Sequence, residues 1–438
     1  MIRWLIGTAA LAPATLVLAT PCAAQSVAIT NAKLVVGDGS APVDGATVVI
    51  QGGKVVAAGK GVAAPAGVEV IDAGGRYVTP GIVAGFTRMG IVEVDGVDET
   101  NDAAAGNSPF HAAIDVAPAI NPKTSAIALN RAEGITRAVV APATRGSIFA
   151  GQGAIIDLGA DENSVTVPRA FQFLEYGESG ARAAGGSRPA AIVALRDALK
   201  TARAYAKAPG AYLDQGRDAL VNRADAAALE PVVTGRVPLL VHVERASDMR
   251  ALIALKAEYP ALRLVFVGAS EGWMIARELA AAKIPVLASA LNDLPESFEM
   301  LAATQSNVGR MKAAGVQVGL GIINDNDARQ ARYEKQYAGN LVALTKVPGA
   351  SGLSWDAAFA SITGDAAAAI GLGGELGTLK PGRRGDVVIW SGDPLELDSA
   401  AESVFIDGVK QPLGTRQAEL LKRYRQPQEG ALPKAYER

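Results

Sequence analysis

Only two histidines occur among the 438 residues, His111 and His242, and the second is followed two positions later by Glu244. Side chains two apart on a β-strand share a face, so this imidazole and carboxylate would be presented together. Both are ligand types that zinc accepts, and with Asp325 and water they could hold one as an improvised site. His242, Glu244 and Asp325 therefore form one candidate catalytic cluster, with zinc as cofactor only if such an improvised site exists. The competing reading leaves His242 hydrogen-bonded in a polar pocket with no cofactor. Arg88 offers different chemistry. A guanidinium has no lone pair for a metal, and neither has the ring of Phe86 two residues before it. Arg88 can instead hold the carboxylate or phosphate of a small-molecule substrate bidentately, or pair with Glu244. His111 lies among Asn and Pro residues and is expected to be a loop or capping residue.

Other catalytic classes find little support. The single cysteine, Cys22, lies within a leader-like segment, so the remainder of the chain carries no thiol nucleophile, disulfide or Cys-based metal site. Ser147, Ser270 and Ser289 are not in a GxSxG elbow, and no GxxxxGK[ST] phosphate loop is present. With 42 basic against 44 acidic side chains and 5% aromatics, neither electrostatics nor stacking points to a nucleic-acid partner. Arg3, the apolar run Leu5 to Leu18 and the small residues before Gln25 read as a secretory signal over residues 1–24, giving an exported, periplasmic protein. That run of about 14 apolar residues, broken by Pro13, is short of the roughly 20 needed to span a bilayer, so no membrane attachment is expected after signal removal. Oligomers of this chain, or with a related subunit, are left open.

The elements that must position these residues come in two kinds. From Val27 to Tyr77 short β-branched runs alternate with glycines, and Gly52-Gly53 suits a hairpin turn requiring positive φ. This sheet is too small to enclose a core, and Asp386 to Trp390 with Ser403 to Gly408 supply strands to complete it. Between them, apolar strands including Pro238 to His242, Leu262 to Val267, Ile284 to Leu287 and Val316 to Leu320 alternate with helical segments. Arg188 to Lys207 is expected to be a helix with a solvated face, and Ser247 and Ser270 are expected N-caps. The fold class is α/β: a TIM-like (β/α)8 barrel at 79–376 plus a composite β-sandwich from 25–78 and 377–415, with a tail at 416–438.

With these pieces placed, the chain resembles the amidohydrolase superfamily, in particular exported proteins related to imidazolonepropionase. The resemblance rests on Ile71-Asp72-Ala73-Gly74-Gly75-Arg76-Tyr77-Val78-Thr79-Pro80-Gly81, Asn121-Pro122, Gly134-Ile135-Thr136 and Gly151-Gln152-Gly153-Ala154-Ile155. It continues through Val241-His242-Val243-Glu244-Arg245-Ala246 and Gly377-Thr378-Leu379-Lys380-Pro381-Gly382 with Gly385-Asp386-Val387-Val388. It implies a hydrolase of non-peptide carbon–nitrogen bonds, amide or cyclic amide, in which a divalent cation activates water at the C-terminal ends of the barrel strands. By the same resemblance, two ligand histidines fall on Phe86 and Arg88, a third on His242, a fourth at or near Gly268, and the water-orienting aspartate at about Ile323, where a small shift of register would bring in Asp325 or Asp327 instead. Four of these five positions lack the donor. The expectation is thus a hydrolase by descent with a degenerate metal site, the alternative being a catalytically inactive binding or assembly protein whose barrel mouth takes a small anionic ligand.

Overall fold

The computed structural model describes residues 26–94, 96–211, 221–290, 292–323 and 328–425. The leader expected at residues 1–24 and the candidate residue Asp325 lie outside this set. The chain ends build one eight-stranded sheet, from β1 (Val27–Leu34), β2 (Val43–Gln51), β3 (Lys54–Lys60), β4 (Glu69–Asp72) and β5 (Tyr77–Pro80). The sheet is completed by β14 (Val387–Trp390), β15 (Ala401–Ile406) and β16 (Val409–Lys410). Gly52 and Gly53 turn β2 into β3 with φ of 57° and 77°, as a two-residue hairpin demands. Strand β1 pairs with β4 over Val27–Thr30 and with β5 from Lys33 onward. The switch occurs at Asn31, whose φ is 51°, and this bend lets the sheet wrap an apolar core of Val27, Ile29, Val48, Ile50, Val387 and Phe405.

The second sheet is β6 (Ile82–Thr87), β7 (Ile135–Val140), β8 (Phe149–Asp157), β9 (Val165–Glu175), β10 (Leu239–Val243), β11 (Leu264–Gly268), β12 (Val286–Ala288) and β13 (Val318–Leu320), side by side in that order. Strand β13 returns to β6, so the sheet is a nearly closed barrel. Gly85 and Gly321 line the seam: a Cβ on Gly85 would lie 2.0 Å from the Leu320 carbonyl oxygen, so only a bare Cα allows the strands to approach. The expected uniform strand–helix alternation holds with one exception. Strand β8 runs antiparallel to both β7 and β9, because the short connections on either side contain no crossover helix.

The helix over Arg188–Lys207 has the bounds expected from sequence, with Ser187 accepting the Ala190 amide as N-cap. Its basic face is less solvated than expected, since Arg188 pairs with Asp248 and Glu299 and Arg203 stacks on Tyr259. Two expected caps are displaced. The helix after β10 starts at Ala246, with Arg245 rather than Ser247 at its cap, and Ser270 precedes a 3-10 turn at Gly272–Ile275.

A buried charge cluster joins the barrel to the other sheet. Arg137 on β7 is wholly enclosed, donates from Nε and Nη2 to Asp386 at 2.7 and 2.9 Å, and lies 2.9 Å from Asp407 and 3.5 Å from Asp157. Burial pushes Asp157 up to about 6 against the opposing pull of Arg137. The tail motif Gly385-Asp386-Val387-Val388 thus joins the two layers, since Asp386 holds the barrel's cation while its own strand belongs to the other sheet.

Candidate functional site

His242 is the fourth residue of β10, near the C-terminal rim where barrel folds of this kind place their chemistry. Its Nδ1 lies 2.7 Å from Glu175 Oε2, at the end of β9, and its Nε2 lies 2.9 Å from Glu244 Oε1. All three side chains are buried. Both ring nitrogens face carboxylates, which is the arrangement of a doubly protonated imidazole donating twice. Burial alone would lower the His242 pKa, but Glu175 and Glu244 outweigh it and hold the pKa well above the usual imidazole value. Burial would raise Glu244, yet His242 and the amide of Ser270, which donates to Glu244 Oε2 at 2.8 Å, bring it below the usual carboxylate value.

Strand β10 orders this cluster because β9 and β11 flank it in parallel register, with His242 opposite Glu175 and Val243 opposite Gly268. Gly268 has φ of 90°, and a Cβ there would lie 2.2 Å from Glu244 Oε1. The Glu244 carboxylate therefore occupies the space that a side chain at 268 would need. Beyond it, Ser270 Oγ accepts from Asn292 Nδ2 at 3.1 Å, and Ser289 Oγ lies 3.3 Å from Asn292 Oδ1. Glu299, raised by burial, accepts from the Glu178 amide at 2.6 Å and from Arg188 at 3.0 Å.

The opposite wall is apolar. Phe86 sits in a bulge of β6, between the register pairs Ala84–Ala138 and Thr87–Val140, and its ring packs at 5.4 Å against Phe173. Phe86 and Ile323 belong to one buried cluster with Val83, Leu240, Val267 and Leu287. Arg88 follows the end of β6, half-buried, with its guanidinium 5.6 Å from the Phe86 ring centroid. Among the described residues, Glu244 pairs ionically with His242. His111 lies outside the cluster in a loop, where its backbone amide donates to Asp225 at 3.0 Å.

The fold therefore brings His242 and Glu244 together as expected, and Asp325 falls outside the described residues. Glu175 is the member that residue spacing did not disclose. Its only signal is its place as the last residue of a barrel strand, and β9 is not separable from its surroundings by pattern alone. Zinc needs free lone pairs converging on one point. Among the described residues no group of three or more His, Cys, Asp or Glu side chains is arranged to hold a metal ion. The reason is visible at each position: His242 is saturated by carboxylates, Gly268 has no donor, and Phe86 and Ile323 pack as hydrocarbon. The described residues do not fit the metal that the resemblance implies.

Residues 177–409 match the model of the amidohydrolase family. The chain is 24% identical over 383 residues to the amidohydrolase tasK of Hapsidospora irregularis, covering 79% of this chain but only 37% of that longer protein. It is 28% identical over 289 residues to the imidazolonepropionase of Maricaulis maris, covering 59% of this chain and 69% of the relative. An amidohydrolase structure from Thermotoga maritima superposes with a TM-score of 0.77 at 23% identity, covering 88% of this chain and 99% of that one. Molinate hydrolase superposes with a TM-score of 0.53 at 17% identity, covering 94% and 98%. With the family model spanning more than half of its length and the barrel matching in architecture, the chain belongs to the amidohydrolase family.

Proposed function

We propose that this protein keeps the barrel of hydrolases acting on non-peptide carbon–nitrogen bonds but uses its mouth to bind a small molecule, without the family's metal-dependent hydrolysis. The observation that carries this reading is the engagement of both His242 nitrogens by Glu175 and Glu244. An imidazole in that state offers no lone pair to a metal and is a poor proton acceptor at neutral pH, because its protons are held by two anions. Arg88, beside the aromatic wall of Phe86, is the residue proposed to hold an anionic group of the ligand. On this reading the leader at residues 1–24 carries the protein to the periplasm, where it meets that ligand.

The test uses N-acyl amino acids and cyclic amides as probes, measuring binding by calorimetry and turnover by product release. Binding without turnover, lost in Arg88→Ala, is the expected result. A second reading is hydrolysis of amide or cyclic amide bonds through His242, Glu244 and Asp325. Membership of the family favours it, and turnover abolished by His242→Ala would establish it over the first.

A further inference from the structure

At the end of the barrel opposite His242, the starts of three neighbouring strands border a second pocket. Pro238, Arg263 and Pro285 stand immediately before β10, β11 and β12. The helix Gly364–Ala369 plugs this end, since Ala366, Ala369 and Ile370 join Val83, Val265 and Leu287 in the apolar cluster that also holds Phe86 and Ile323. Hydrocarbon therefore separates the barrel floor from the mouth.

Outside the plug lies a cavity of about 310 Å³, whose wall includes Lys256, Arg263 and Lys283 together with Pro238, Pro260 and Pro285. Among the described residues no carboxylate belongs to that wall, so three cations line one space without a counter-ion from the protein. The prolines add apolar surface that carries no amide hydrogen.

Each cation is held in place. Lys256 Nζ donates to the Ala282 carbonyl at 3.0 Å, which leaves two of its three N–H groups. Burial lowers the pKa of this ammonium, and no carboxylate opposes the shift. Lys283 ends the helix Ala276–Ala282 at a φ of 51°, a left-handed position that glycine fills without strain. A lysine there bears a conformational cost, and what it adds over glycine is a charged side chain. Arg263 Nη1 donates to the Arg236 carbonyl at 3.4 Å, while a Cβ on Gly371 would lie 2.6 Å from Nη2. The guanidinium is thus set between two stretches of backbone. The negative pole of the helix Ala276–Ala282 favours both lysines, but it occupies only one donor of Lys256 and does not involve Arg263.

We infer that the barrel floor is a second ligand site, which takes the phosphate of a small phosphate ester on Lys256, Arg263 and Lys283 and its carbon skeleton against the prolines. A phosphate monoester carries close to two negative charges at neutral pH and three acceptor oxygens pointing in different directions. That suits three donors arriving from separate elements better than the two coplanar oxygens and single charge of a carboxylate. The cavity falls at the small end of the range for organic ligands, with more room than a free phosphate fills. Because the plug isolates this site, it stands whether the mouth binds its ligand or hydrolyses it.

Glycerol 3-phosphate, inorganic phosphate and glycerol serve as probes, titrated calorimetrically into the purified protein at low ionic strength. The ester is expected to bind at one site and more tightly than inorganic phosphate, and glycerol not to bind. Lys256→Gln with Arg263→Gln is expected to weaken the ester by about tenfold or more. Lys283→Gln, at an exposed side chain, is expected to fold as the wild type and to weaken it severalfold. Bound ester is also expected to shield Lys256 and Lys283 from acetylation, read by mass spectrometry, and to leave the exposed Lys200 unprotected. Failure of the ester to bind, inorganic phosphate bound as tightly as the ester, or an affinity indifferent to these substitutions in folded variants would overturn the inference.

Discussion

His242 sits between two buried carboxylates, and its removal has a cost that depends on what remains. His242→Ala removes the cation that lies between Glu175 and Glu244, which is expected to destabilise the fold by about 3–5 kcal/mol in urea titrations. Adding Glu244→Gln to that background is expected to recover part of the loss. The pH dependence follows from the two shifts. His242 is raised, so its contribution is complete below about 6.5 and fades as pH climbs through its higher folded value. Glu244 is depressed, so its contribution is complete above about 4.5 and is lost as pH falls through its lower folded value. The cluster is therefore strongest between these limits, and His242→Ala should cost less at either extreme. Gly268→His provides a separate check at this scale. Restoring an imidazole there places a Cβ 2.2 Å from Glu244 Oε1 at a φ of 90°, so the variant is expected to lose stability and to bind no zinc by elemental analysis. Glu334 is a buried carboxyl whose pKa burial drives well up against the pull of the Gly85 amide. A raised acid destabilises the fold as pH rises above about 4.5, at about 1.4 kcal/mol per unit of suppressed ionisation. Glu334→Gln should therefore stabilise the protein at pH 7 and leave it unchanged at pH 4.

At the scale of elements, the strands supply the site and glycines let them close. Gly85→Ala is expected to open the seam between β6 and β13, seen as a large drop in melting temperature and exposure of apolar surface to a hydrophobic dye, because the added methyl meets the Leu320 carbonyl. Much of this framework was legible in the sequence. The Gly52-Gly53 hairpin, the helix from Arg188 to Lys207 and the strand bearing His242 each carry a local signal in turn chemistry or apolar periodicity. The reversed direction of β8 was not legible, since an apolar run has no intrinsic polarity and only the absence of a crossover helix betrays it. Ser247 is not a cap because the helix begins one residue before it, at Ala246, and Ser270 is not one because a 3-10 turn starts at Gly272 after Glu271 while its hydroxyl accepts from Asn292. Glu175 stayed hidden because a carboxylate acquires meaning only once β9 is known to end beside β10.

For the whole molecule, the two layers share one charge cluster and one scaffold, while on the proposed reading the family's chemistry has been withdrawn from the mouth. Arg137→Met removes the cation from Asp386, Asp407 and Asp157 together, and is expected to uncouple the layers and cost about 3–5 kcal/mol. The positions that the resemblance assigns to ligands are filled by hydrocarbon at Phe86 and Ile323, by a carboxylate in the space beside Gly268, and by two anions around His242. On the proposed reading, each of these belongs to a mouth that is packed and charge-balanced without a metal. The most direct measurement is zinc content by elemental analysis of the purified protein, made together with an assay for carbon–nitrogen bond hydrolysis on cyclic amides and N-acyl amino acids. Zinc far below one equivalent and no turnover is the expected result; stoichiometric zinc with turnover that His242→Ala abolishes would contradict it.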